Sequence, residues 1–223
     1  MAKNPHREKI IEAFLALVAE GPFEKIGLAA VAEKAGVSLA DMRGEFGSTF
    51  DIVSAFVRET DRKVLAGGEG EDAEATARDR LFDVLMRRFE ALQPHRAALR
   101  SLVRSAERHP RFALALNKLA VRSQQWMLSA AGIDSSGWIG GIRAQAVAVM
   151  FARVMRVWLR DDDPGLGRTM AELDRDLATG ARFAMLLDDL RRLAPRCPPR
   201  RRRTRDSSTR RRPDPSEPET MRT

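Results

Sequence analysis

Between Lys34 and Thr49 the chain gathers groups that suit a contact with nucleic acid. They are the cations Lys34 and Arg43, the hydroxyls of Ser38, Ser48 and Thr49, and the carboxylates of Asp41 and Glu45, with Leu39, Ala40 and Gly44 between them. Cations and hydroxyls hydrogen-bond to phosphate oxygens, and a carboxylate accepts from a cytosine amino group. Bond-making chemistry has no comparable signal. His6, His95 and His109 lie far apart, and none has a second ligand at helical spacing, so no metal site is read. The single cysteine, Cys197, forms neither an intramolecular disulfide nor a multi-cysteine zinc site. No serine or cysteine stands in a nucleophile motif. Asp161, Asp162 and Asp163 read as an exposed acidic linker ahead of Pro164. The Gly68-Glu69-Gly70 fragment has neither a preceding strand nor a following lysine in register, so it is no nucleotide loop. The expectation is a binding protein with no cofactor and no enzymatic activity.

The elements that position these groups are helical. Apolar residues recur at helical spacing along most of the chain, and Ala, Leu, Arg and Glu are all good helix formers. Ile10, Ile11, Phe14, Leu17 and Val18 form one stripe, which stops at Gly21-Pro22. Leu28, Val31, Ala32 and Ala35 form a second, closed by Gly36, a residue that tolerates the left-handed conformation of a helix end. Ser38 with Asp41, and Ser48 with Asp51, repeat a capping pattern at the starts of two further helices. The first carries Leu39, Met42 and Phe46; the second continues through Ile52, Val53, Phe56, Val57 and Val64. A Gly- and acid-rich break at 66–72 marks a boundary. Helices then follow around Leu85, Leu102 and Leu116, and Pro94 and Pro110 suit first helical positions. A Gly/Ser loop at 132–141 precedes a long helix ending at Asp161. Thr169 with Glu172 reads as the capping box of the last helix. The expected fold is all-α, with about nine helices. Residues 1–65 form a three-helix front domain, 66–194 a larger helical domain and 195–223 a basic tail.

Leu28 to Phe46 is the most informative stretch. Two short helices meet at Gly36, Ala32 is small enough for close approach, and Val37 plugs the corner. Such a helix-turn-helix presents its second helix to a DNA major groove. The order of a first amphipathic helix, Gly21-Pro22-Phe23, the helix pair, Phe46 with Ser48 and a long connecting helix resembles the N-terminal domain of TetR-family transcriptional regulators, over about Arg7 to Val57. The resemblance implies a homodimer on a near-palindromic double-stranded operator. It also implies a small-molecule pocket in the second domain and a dimer interface built from the last two helices. At the family's phosphate-contacting Tyr this chain has Arg43, and at its Lys in the next helix Thr49. The family's preferred Gly and Thr are here Ala40 and Asp41, and the position before Phe46, often His, is Glu45. Asp41 and Glu45 repel phosphate, which leaves a structural helix-turn-helix without DNA binding as the alternative.

Phe82, Met86, Phe89, Trp126, Met150 and Trp158 lie on several helices of the second domain. They read either as core or as the wall of a pocket for a small apolar effector. Leu81 to Phe89, Leu92 to Arg96 and Trp158 to Pro164 also resemble the ligand domain of the TetR-like ubiquinone-biosynthesis accessory proteins. That implies lipid or isoprenoid binding without DNA as a second function. The net charge of +8 is unevenly placed: residues 195–223 hold 10 Arg against 4 acids, while residues 1–65 hold 9 basic against 10 acidic side chains. The tail, with Arg200 to Arg203 and Arg210 to Arg212, cannot bury apolar surface. Together with Arg175, Arg182, Arg191 and Arg192 of the last helix it is a candidate contact for an anionic membrane or for phosphates. No apolar leader or spanning stretch is present, and the expected location is the cytoplasm.

Overall fold

The computed structural model describes residues 5–68 and 75–193, with side chains described as far as residue 180. The tail at 195–223, the centre of the Gly/acid break, and the side chains of Arg182, Arg191 and Arg192 lie outside the described residues. Among the described residues there are nine α-helices, two single turns of 3-10 helix and no strand. They are α1 (Pro5–Glu20), α2 (Leu28–Ala35), α3 (Leu39–Glu45), α4 (Thr49–Ala66), α5 (Ala77–Leu92), α6 (Arg96–Arg108), α7 (Pro110–Ala130), α8 (Gly137–Trp158) and α9 (Gly167–Leu193). The 3-10 turns are Phe23–Lys25 and Gln93–His95. No helix among the described residues is long and apolar enough to cross a membrane.

The first stripe does what its spacing predicts. Ile10, Ile11, Phe14 and Val18 are buried where α1 packs against α2, α4 and α6. Gly36 has φ of +65°, in the left-handed region, and its amide and that of Val37 bond back to Glu33 and Ala32 carbonyls at 3.1 and 3.0 Å. This satisfies the free end of α2 and turns the chain into α3. A second glycine is required by space. A Cβ on Gly140 of α8 would stand 2.0 Å from the carbonyl carbon of Ser135, so only a glycine lets the preceding loop fold onto the helix.

Two expectations are corrected at the start of α9. The helix begins at Gly167, and Thr169 is not its cap. Asp161 is not an exposed linker residue either: it is buried, and its Oδ2 accepts from the Thr169 amide at 2.8 Å and the Thr169 hydroxyl at 2.7 Å. The open amides of a helix N-terminus attract a carboxylate, and Asp161 supplies it from eight residues upstream. Burial pushes its carboxyl pKa up, but the two Thr169 bonds, a backbone bond from Asp163 and the nearby Arg168 cation together hold it below the usual value. Asp162 and Asp163 remain exposed, and Asp163 accepts from the Gly165 and Gly167 amides. Pro94 falls inside the second 3-10 turn, whereas Pro110 does open α7.

The front helices are fastened to the rest by aromatics. Phe23 stacks on Phe112 of α7 at 4.2 Å, and Phe14 of α1 and Phe50 of α4 meet this pair edge-on, each at 6.2 Å. Ser101 of α6 donates to the Gly21 carbonyl at 2.7 Å, and Ser105 accepts from the Phe23 amide at 3.3 Å. Gly36→Ala, which forces a Cβ into the left-handed region, is expected to cost about 1–2 kcal/mol. Gly140→Ala is expected to cost more, because its clash is with main chain. Urea denaturation midpoints at constant slope measure both.

Candidate nucleic-acid interface and ligand cavity

A helix of seven residues cannot stand alone in water, so α3 depends on its attachments. Met42, buried to 1% exposure, and Phe46, at 3%, hold its inner side. The Ser38 hydroxyl caps its start, accepting from the Asp41 amide at 3.1 Å while donating to Asp41 Oδ2 at 2.6 Å. The bond donated by the Ser38 hydroxyl, and after it one from the Ser38 backbone, hold the Asp41 carboxyl below the usual range, so it is an acceptor at neutral pH. Leu39, Ala40, Asp41, Arg43 and Gly44 are all exposed, and Leu39 shows 58% of its surface. The exposed side therefore offers an apolar group, an acceptor carboxylate and a cation.

The remaining residues flagged in the sequence rim this helix. Lys34, at the end of α2, is exposed and lies 3.6 Å from Glu20. Ser48 caps α4, accepting from the Asp51 amide at 3.2 Å, and Thr49, half-buried, is the first residue of that helix. Glu45 does not project beside Asp41. It turns inward, half-buried, with Oε2 3.4 Å from a guanidinium nitrogen of Arg7, which lies over the Phe46 ring at 4.7 Å. One of the two charges that oppose a phosphate contact is thus matched by a cation that sequence spacing did not reveal. The exposed cation on α3 is Arg43. His95 and His109 sit at helix junctions. Among the described residues no group of three or more His, Cys, Asp or Glu is placed to hold a metal.

A half-open cavity of about 370 Å³ lies between α4, α5, α6, α7 and α8. Its wall is mostly aliphatic, with Val53, Phe56, Leu102, Leu116, Phe151 and Met155 contributing. Glu107 and Arg156, 3.3 Å apart and both exposed, stand at its wet side. Arg88 and Gln124 form its buried side, at 4% and 1% exposure. Arg88 makes a buried ion pair with Asp61 of α4, and the same carboxylate oxygen accepts from Ser123 of α7 at 2.7 Å.

The six residues read as either core or pocket wall are distributed as follows. Phe89 and Trp158 are wholly buried core, 5.5 Å apart, with Phe89 stacked on Phe151 at 4.7 Å. Phe82, Met86 and Met150 are half-buried against that core. Trp126 points outward, 62% exposed. None of the six lines this cavity, whose wall comes from other residues of α4, α5, α6, α7 and α8. The missed residues carried a legible signal. Arg88 falls on the same helical stripe as Leu81 and Leu85, and Gln124 on that of Ala120 and Met127, so each is a polar residue on a buried face.

No protein-family model and no curated relative matches the sequence. Solved structures do match. A TetR transcriptional regulator from Nitrosomonas europaea ATCC 19718 superposes with a TM-score of 0.62 at 22% identity, covering 80% of this chain and 99% of that one. A TetR transcriptional regulator from Rhodococcus sp. RHA1 gives 0.55 at 20% identity, over 79% and 95%. The fatty acid degradation regulator FadR from Bacillus halodurans gives 0.53 at 16% identity, over 81% and 96%. The protein has the all-helical fold of TetR-family transcriptional regulators.

The buried pair is open to test. Arg88→Met leaves Asp61 buried with only Ser123 as a partner and is expected to cost about 3–5 kcal/mol. Adding Asp61→Leu removes the stranded charge and is expected to restore a large part of that loss in urea denaturation.

Proposed function

We propose that the protein is a homodimeric, DNA-binding transcriptional regulator that acts as a repressor and is released by a small apolar ligand. The observation that carries this reading is the outward face of α3. Leu39, Ala40, Asp41, Arg43 and Gly44 are bare while Met42 and Phe46 are buried. In this reading residues 1–65 are the DNA-binding unit and 66–194 the ligand and dimerisation unit. Arg43, Lys34, Ser48 and Thr49 contact phosphates, while Leu39, Ala40 and Asp41 face base edges, Leu39 against a thymine methyl and Asp41 against an amino group. The neighbouring structures are regulators, which supports this reading and does not favour a quinone-pathway accessory role.

Helix α4 is the proposed link between the two units. It begins beside α3 at Thr49, and further along Val53, Phe56, Val57 and Thr60 line the cavity. A ligand that binds better when α4 is tilted shifts the population toward a dimer whose two α3 helices no longer match successive grooves. The proposed dimer face is on α8 and α9, where Trp138, Ile142, Val149 and Met170 are exposed. Trp138, at 71%, and Val149, at 59%, are large apolar groups that water disfavours.

Two outcomes are expected. Arg43→Ala weakens binding to upstream and unrelated duplexes alike and lowers the slope of log affinity against log salt by about 1 per protomer, read by fluorescence anisotropy. An unchanged affinity and slope contradict the phosphate role. Val149→Glu together with Trp138→Glu converts a dimer to a monomer in light scattering, and an unchanged mass excludes this face from the interface.

A further inference from the structure

A second concave site lies where the end of α1 meets α6, and it shares no residue with the cavity. It is a polar groove of about 320 Å³, lined by Glu20 and Gly21 beside α1 and by Arg100, Ser101, Arg104 and Arg108 of α6. Residues four apart share one side of a helix, so the three arginines form a row with neighbours about 6 Å apart. All three are exposed. Among the described residues Arg104 and Arg108 have no ion-pair or hydrogen-bond partner, and Arg100 donates only to the Leu159 carbonyl, at 2.7 Å. The acids beside the row are held by other cations. Glu20 has Lys34 at 3.6 Å, and Glu107, next to Arg108 in the chain, has Arg156 at 3.3 Å.

We propose that this groove binds a small free anion with two or more phosphoryl groups, held by Arg100, Arg104 and Arg108. Like charges four apart destabilise a helix, and α6 carries that penalty twice. The helix dipole favours a cation in the last turn, which accounts for Arg108 but not for Arg100 in the second turn. An anion lying along the row turns the repulsion into attraction. The planar fork of a guanidinium pairs with phosphate oxygens through two parallel N–H donors. Three such cations match the charge of a diphosphate, whereas a single carboxylate leaves two of them without a counter-ion. The groove also has the size: 320 Å³ holds about ten non-hydrogen atoms at roughly 30 Å³ each, as in inorganic diphosphate. Its apolar lining is limited to two alanines and a proline, too little to hold an acyl chain, and its concave form suits a free ligand.

Titration calorimetry on the full chain compares inorganic diphosphate with orthophosphate. The residues at 195–223 carry arginines of their own, so every variant keeps them. Diphosphate is expected to bind about tenfold more tightly than orthophosphate. Arg104→Gln with Arg108→Gln is expected to weaken diphosphate about tenfold, whereas Lys118→Gln with Arg122→Gln, which removes the same charge from exposed positions of α7, changes it less than about twofold. Equal losses in the two variants make the binding a matter of net charge and overturn the proposal. An unchanged affinity in the first variant overturns it as well, as does equal binding of the two probes. Vesicles of phosphatidylglycerol in phosphatidylcholine form a second arm. Sedimentation with them that the Arg104/Arg108 variant loses, with no heat from diphosphate, identifies a lipid headgroup and overturns the free ligand. A loss of duplex DNA affinity in that variant, again with no heat from diphosphate, assigns the row to nucleic acid and overturns it too. Unchanged urea midpoints show that the variants are folded. If the double variant is not, Arg108→Gln alone takes its place, with a loss of about threefold expected.

Discussion

Met42 and Phe46 are the two points by which α3 is held to the protein, and the rest of the account depends on them. Seven residues form too few internal hydrogen bonds to keep a helix in water, so its existence is a consequence of docking. That docking uses the inner side and leaves the outer side nothing to pack against. The Gly36 corner sets the angle and the Ser38 cap sets the starting point. Arg7 then holds Glu45 against the body of the protein, over the same Phe46 ring that anchors the helix. What is left outside is a small surface with a cation, a carboxylate and an apolar group in fixed relation.

The same economy of contacts makes α4 important. It starts beside α3 with Thr49 and Phe50, and its later turns, with Asp61 and Val64, pack among α5 and α7. Phe50 meets Phe112 edge-on, which joins the first turn of α4 to the first turn of α7. Asp61 is tied to α5 through Arg88 and to α7 through Ser123. A buried ion pair adds little net stability, because desolvation of both charges offsets their attraction, but it resists rearrangement, since any separated intermediate strands a charge.

The sequence made the repeating features legible and hid the singular ones. The stripe of α1, the glycine at 36, the caps at Ser38 and Ser48 and the helical composition each follow from a local rule, and each appears in the fold. The Arg7–Glu45 pair spans 38 residues and follows no such rule. Asp161 read as linker because it sits in a run of three acids, yet burial separates it from its neighbours. The aromatic and methionine residues marked for a pocket show the limit most clearly. Size and hydrophobicity place Phe89 and Trp158 inside the protein, but they do not say whether a residue fills space or borders it. The cavity is bordered by Phe56, Phe151 and Met155 together with smaller aliphatic residues, and Arg88 and Gln124 are polar side chains on otherwise apolar faces.

Hydroxyl-radical footprinting of the protein on the duplex upstream of its own coding sequence tests most directly whether the bare side of α3 is a reading surface. Two α3 helices of one dimer entering successive major grooves protect two patches on one side of the duplex, centred about 34 Å apart along its axis. A duplex cleaved evenly along its length, or a single protected patch with no partner one turn away, contradicts the account.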